Sequence, residues 1–227
     1  MKQFEDLKIN EGVENITKLY DNIARKSEDL IRESYENFGK KVSFPIDINI
    51  VAEYLNIEIL KDNLNLVGTT NFSRKLAIIV AKKDEGHIVV DSSVGYKTRR
   101  YAVANGIGRY LLNRARGIFK SSYAIPLIPQ SLEEIAADSI ALFLLMPPNT
   151  FKEEFLRYLN ECKSHPLDVD EWLQYLSDRC QITPFNLAIG YQQMKQVLCY
   201  RRQLEFERYD YDITKIPEED KYSKIFA

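Results

Sequence analysis

The chain has 227 residues, enough for one domain of ordinary size with appendages or for two small ones. Hydrophobic residues make up 45% and aromatic residues 11%, which excludes wholesale disorder, and a net charge of −2 gives no global electrostatic pull toward nucleic acid. No N-terminal stretch reads as a signal peptide and no run approaches 18 uninterrupted apolar residues. Three cysteines (Cys162, Cys180, Cys199) are too few and too irregular for a disulfide framework, so a cytoplasmic location with reduced thiols is expected.

Residues 1–43 are charged, with Ile16, Leu19, Tyr20, Ile23, Leu30 and Ile31 near helical spacing. This predicts an N-terminal helical arm that packs on the main domain or takes a partner, ended by Gly39 and the Phe44-Pro45 turn. Residues 50–56 read as a short amphipathic helix with Asp47 or Asn49 as its N-cap. Ile57–Leu60, Ala77–Ala81 and His87–Asp91 alternate as strands, and 68–72 read as a turn running into the second of these. The expected fold is α+β, with a small, mainly antiparallel sheet laid on the helix that follows.

That helix is expected at Tyr96–Asn113, against local propensity. Gly106 and Gly108 each cost about 1 kcal/mol relative to alanine, and Asn105-Gly106 is a turn signal. Propensity alone would make Tyr101–Ala104 a strand followed by a turn. Residues 114–130 are a basic, then proline-punctuated connection, with Ile125–Pro129 as an extended cover over the sheet or cleft. Ser131 caps the next helix, with Glu134 three residues on as the partner in a capping box. An apolar stripe from Ala136 to Leu145 ends at Met146-Pro147-Pro148. Helical stretches follow at 150–162, 168–179 and 184–203, the last two resembling a helix-turn-helix, and the acidic, tyrosine-rich residues 204–227 read as a weakly ordered tail.

Two segments, RYAVANGIGRYLLN (Arg100–Asn113) and LEEIAADSIALFLLMP (Leu132–Pro147), resemble the core of the ImmA/IrrE family of zinc peptidases. That family writes them R-F-T-L-A-H-E-L-G-H-Y-L-L-H and E-x-E-A-N-x-F-A-A-x-L-L-M-P. Leu173–Ile189 also resembles the L-A-x-x-F-x-V-S-x-x-A-L segment that follows the family's core. The match over the first segment decides for helix there. It implies a degenerate metallopeptidase-like domain over 44–148, with zincin-like helices, and a C-terminal helical subdomain over 149–203.

The resemblance fails where the chemistry lies. An H-E-x-x-H helix sets two imidazoles on one face for one metal, with the glutamate placed to deprotonate metal-bound water. Here Asn105 stands at the first histidine, Gly106 at the glutamate and Arg109 at the second histidine. Glu134 remains at the position of the third zinc ligand, and Asp138 stands where the family has asparagine. An asparagine amide is a weak zinc ligand, and a protonated guanidinium is none. The zinc that the ancestral site would have bound is therefore expected to be lost, with no catalytic residue and no bound metal expected. Arg109 is expected to pair with Glu134 in the metal's place, or else to reach solvent or Asp138, while Asn105 hydrogen-bonds within the cluster.

In the related peptidases the strand before the active-site helix is an edge along which substrate lies extended. The resemblance gives that role to His87, Ile88, Val89, Val90 and Asp91, open to strand addition by a partner. Cys162-x-x-His165 has metal-site spacing but no second pair, and is read as a buried thiol beside a His-Pro turn.

Three functions are in play. The first is a catalytically inactive, peptidase-like pseudoenzyme acting as a binding or regulatory module. The family cleaves or inactivates helix-turn-helix repressors, often beside mobile elements, or acts in stress responses, so a repressor or a related protein is the partner implied. The second is a DNA-binding transcriptional regulator using the helices of 168–203. Lys195, Arg201 and Arg202 favour it, but Glu205, Glu207, Asp210 and Asp212 follow closely. The third is a peptidase with relocated ligands, or acid/base chemistry on Glu134 and Asp138.

Overall fold

The computed structural model describes residues 4, 16–64, 77–81, 85–116, 121–124, 131–161 and 169–201. Among these residues, seven helices and four strands run in the order α1 (Ile16–Asn37), α2 (Ile48–Tyr54), β1 (Ile57–Asp62), β2 (Ala77–Ala81), β3 (Gly86–Asp91), α3 (Tyr96–Ala115), β4 (Ser121–Ala124), α4 (Leu132–Leu145), α5 (Pro148–Glu161), α6 (Val169–Cys180) and α7 (Pro184–Tyr200). The architecture is α+β, as the sequence predicts. Residues 65–76, 82–84, 125–130, 162–168 and 202–227 lie outside the described set, and with them the 68–72 turn, the Ile125–Pro129 cover, Cys162, His165 and the tail.

Local chemistry accounts for most element ends. Helix α1 closes at Gly39, which takes φ +63°, a left-handed conformation that suits glycine beyond a helix C-terminus. Asp47 caps α2 by accepting from the Asn49 amide at 3.0 Å. Asn56 turns the chain from α2 into β1 at φ 57°, a region asparagine tolerates better than most residues. Ser131 accepts from the Glu134 amide at 3.2 Å, and Thr183 from the Asn186 amide at 3.2 Å with Pro184 opening α7.

The sheet order is β1-β3-β2-β4, with β1 parallel to β3 and the other two pairings antiparallel. One face is buried through Ile57, Ala77, Ile79, Ile88 and Val90, while Glu58, Leu60, Val80, His87 and Val89 alternate onto the more open face. This topology corrects the strand-edge expectation for His87–Asp91. β3 is an interior strand bonded on both sides, so a partner cannot add there. β1 runs parallel along one side of it and β2 antiparallel along the other, so both of its edges are used. The four-residue β4 falls in what the sequence presents as a connection.

α3 lies between the sheet and α4, and is helical throughout. Its two glycines mark the contacts. A Cβ at Gly106 would come 2.8 Å from Ile88 Cδ1 on β3, and one at Gly108 only 2.6 Å from the Ala137 carbonyl oxygen on α4. The propensity cost of each glycine is offset by the close burial it permits. On the other side of α4, α1 and α7 complete the layer, and Gly190 of α7 admits Met146 and Leu142 of α4. Phe151, Phe155, Trp172 and Tyr191 join α5, α6 and α7 through ring contacts with centroids 4.9–6.2 Å apart. One contiguous apolar core runs from α1 through α7.

Candidate functional site

α3 and α4 run antiparallel, so the i, i+4 pair Asn105/Arg109 faces the i, i+4 pair Glu134/Asp138. Gly108 brings the two backbones together at Ala137, in the middle of this square. The four side chains form a continuous chain of polar contacts. Arg109 Nη2 lies 3.4 Å from Glu134 Oε1. Arg109 Nε donates to Asn105 Oδ1 at 3.2 Å, and Asn105 Nδ2 donates to Asp138 Oδ1 at 3.1 Å. Of the alternatives for Arg109, pairing with Glu134 is the one the geometry gives.

The square grades from wet to dry. The Glu134 side chain is 24% exposed and that of Arg109 12%, whereas Asn105 and Asp138 are buried. Burial pushes the Asp138 carboxyl up to about 7, because an ionised form away from water loses its hydration. Near neutral pH Asp138 is therefore divided between a carboxylic acid and a carboxylate. Tyr20, buried on α1, lies within electrostatic reach of this dry end. Burial and the Asp138 charge both raise its hydroxyl pKa, which places that hydroxyl within the field of the carboxyl. Sequence spacing gave no sign of Tyr20 here, since it belongs to an element 85 residues before Asn105 and shares only the helical apolar stripe of α1.

The cluster does not suit a divalent metal. The guanidinium already bridges the Asn105 oxygen and the Glu134 carboxylate, and a fixed monocation and a dication cannot share that place. The Asn105 amide is engaged at both ends. Among the described residues no three His, Cys, Asp or Glu side chains come together as a metal site. Gly106, at the position of the family's base, points at Ile88 of β3, so a longer side chain there meets the sheet. His87 is engaged elsewhere, its Nδ1 2.9 Å from Glu58 Oε2 on β1. Of its neighbours, Ile88 and Val90 are core residues, Val89 is half-buried, and Asp91 accepts from the Ser93 amide and hydroxyl at 2.9 and 2.7 Å in the turn into α3.

The C-terminal helices are held as part of the core. Lys97 of α3 reaches Asp178 at 2.6 Å and Ser177 at 2.9 Å, and Tyr96 donates to Gln181 at 3.1 Å. α7, the helix that would read a groove in a helix-turn-helix, buries Leu187, Ala188, Tyr191, Met194, Val197 and Leu198. Arg201, one of the cations counted toward DNA binding, pairs with Asp21 at 2.6 Å and Glu28 at 3.0 Å on α1. Of the other two cations counted there, Lys195 is half-buried on α7 and Arg202 lies outside the described residues. No helix among the described residues is long and apolar enough to cross a membrane. No family model, curated protein or solved structure matches the chain.

Proposed function

We propose that this chain is a metallopeptidase-like scaffold of ImmA/IrrE type that no longer hydrolyses peptides and acts in the cytoplasm by binding a protein partner. A helix-turn-helix repressor or a relative of one is the partner that the resemblance suggests. The observation that carries the reading is the Glu134–Arg109–Asn105–Asp138 chain of contacts. It occupies the positions where the resembled family holds zinc, and it supplies a fixed positive charge where that family supplies a dication. Hydrolysis would need a Lewis acid and a base beside the scissile carbonyl, and the base position is a glycine facing Ile88. Glu134 is committed to Arg109 and Asp138 is buried, which argues equally against acid/base chemistry relocated onto this pair. The packing of α7 on α1 and α4, with Arg201 paired to α1, argues against the DNA-binding reading.

The deciding experiment is elemental analysis of untagged protein purified without chelator, before and after incubation with zinc, together with thermal melts in excess chelator. The expected outcome is no retained zinc and an unchanged melting temperature. Stoichiometric zinc that survives dialysis, or a melting temperature lowered by chelator, would overturn the reading.

A further inference from the structure

We infer that the outer edge of β1 takes up an extended, basic segment of a protein partner as a fifth, antiparallel strand. This deepens the reading of the chain as a protein-binding scaffold and rests on it for the existence of a partner. It is independent of the α3–α4 cluster and replaces the disproved edge at β3.

The argument starts from backbone parity. The Gly86 amide donates to the Asn56 carbonyl at 3.1 Å, and the Ser92 amide to the Asp62 carbonyl at 2.8 Å. Both acceptors are even-numbered, and peptide groups alternate sides along a strand. Glu58 and Leu60 therefore turn their N–H and C=O groups toward β3. Ile57, Ile59 and Lys61 carry theirs on the opposite side, where no described residue occupies a strand position.

This edge carries few of the devices that keep most edges unpaired. Its register with β3 runs unbroken from Ile57 to Asp62, with no bulge and no proline, and Lys61 is its one cation. Beside it lies an open groove of about 360 Å³ between β1 and α2, bounded by Ala52, Glu53, Ile57, Glu58 and Ile59. Leu60, 41% exposed, extends the apolar surface onto the open face of the sheet. An incoming strand would set one row of side chains over Ala52, Ile57 and Ile59, which suits small or β-branched apolar residues. Its other row would meet Glu58, whose side chain is 60% exposed and whose Oε2 also lies 2.9 Å from His87 Nδ1, while the exposed Glu53 stands on α2 at the groove rim. Those two carboxylates select lysine or arginine at alternate positions. The acidic residues 204–227 of this chain are the wrong sign for the site.

The test uses the full chain and a fluorescein-labelled octapeptide of alternating lysine and valine, with an alternating glutamate–valine peptide as control. Anisotropy measures affinity, and amide exchange of the isotope-labelled protein locates the contact. The expected result is binding of the lysine–valine peptide alone, with slowed exchange at Ile59 and Lys61. Ile59→Pro removes an outward N–H without touching the β3 ladder and should abolish binding. The surface pair Glu53→Lys and Glu58→Lys leaves the backbone intact and should weaken binding about tenfold or more at low salt, and less at high salt. No binding at millimolar peptide, equal binding of the acidic peptide, or unchanged exchange at β1 would overturn the inference. So would a dimer of this chain that Ile59→Pro dissolves, since the occupant would then be a second copy. Zinc retention would overturn the wider reading and leave a positive edge result standing, so the two failures are distinguishable.

Discussion

Asp138 is the residue whose behaviour most sharply separates this cluster from an ordinary surface ion pair. It has the Asn105 amide as a donor, Arg109 one residue further along the chain of contacts, Tyr20 facing it from α1, and Glu134 one turn earlier on its own helix. Its folded pKa, pushed up to about 7 by burial, exceeds the unfolded value, so the folded state holds a proton that the unfolded state releases from about pH 4 upward. The sign follows. The contribution of Asp138 is most favourable below the unfolded pKa, declines as the pH rises through the folded pKa near 7, and is constant above it. Asp138→Asn keeps the size and the acceptor for Asn105 while removing the titration. We expect the difference in melting temperature, variant minus wild type, to grow from pH 5 to pH 8 in favour of the variant. A difference independent of pH would show that Asp138 remains ionised throughout. The substitution also introduces the amide that stands at this position in the family the chain resembles.

Gly106 and Gly108 act at the level of packed elements. Two positions apart on a helix stand about 200° apart around its axis, so the pair points to opposite sides of α3, one toward the sheet and one toward α4. Without them the helix could not be squeezed between both layers, and Asn105 and Arg109 could not reach the side chains of α4. The two sites differ in what a methyl group would strike. At Gly108 it meets backbone, the Ala137 carbonyl, which moves only if α4 moves. At Gly106 it meets the side chain of Ile88, whose terminal carbon can turn aside. Alanine at either position gains about 1 kcal/mol of helix propensity. Gly108→Ala should nevertheless destabilise the protein by about 1–3 kcal/mol through overpacking, and Gly106→Ala by less, with the order read from urea midpoints. Equal or inverted effects would mean that the helices separate more easily than this contact implies. Gly106→Glu, offered as a restored base, should destabilise more than either alanine, because a charged chain is driven against the buried Ile88.

At the scale of the whole molecule, the helices other than α3 were legible because caps and apolar periodicity act locally, whereas α3, with two glycines inside it, was read as a helix through the resemblance. Ser131, Asp47 and Pro184 mark their starts, and Gly39 and Pro147 their ends. The alternation of Ile57–Leu60 and His87–Asp91 disclosed strands for the same reason. Their order in the sheet was not legible, since it depends on which crossover buries Ile88 beneath Gly106, and no local pattern records that. The α3–α4 square was legible from i, i+4 spacing on two helices, whereas Tyr20, brought in by a third, was not. The same distinction bears on the boundary at residue 148. The resemblance ends its core domain at Pro148, after the Pro147-Pro148 break, yet α7 covers α4 through Gly190 and lies along α1 through the Arg201 pairs with Asp21 and Glu28. Removing everything after Pro148 would bare Leu142 and Met146, which contact α7, and would leave Asp21, 3% exposed, without Arg201. Exposed leucine and methionine side chains each cost about 1.5–3 kcal/mol of burial, a large share of the 5–15 kcal/mol that holds a typical domain together. A protein comprising residues 1–148 should therefore lack a cooperative melt and bind the dye ANS, while retaining helical far-UV circular dichroism. A sharp two-state transition in that fragment would establish the helices beyond Pro148 as a separable unit, and would return α7 to consideration as a free recognition helix.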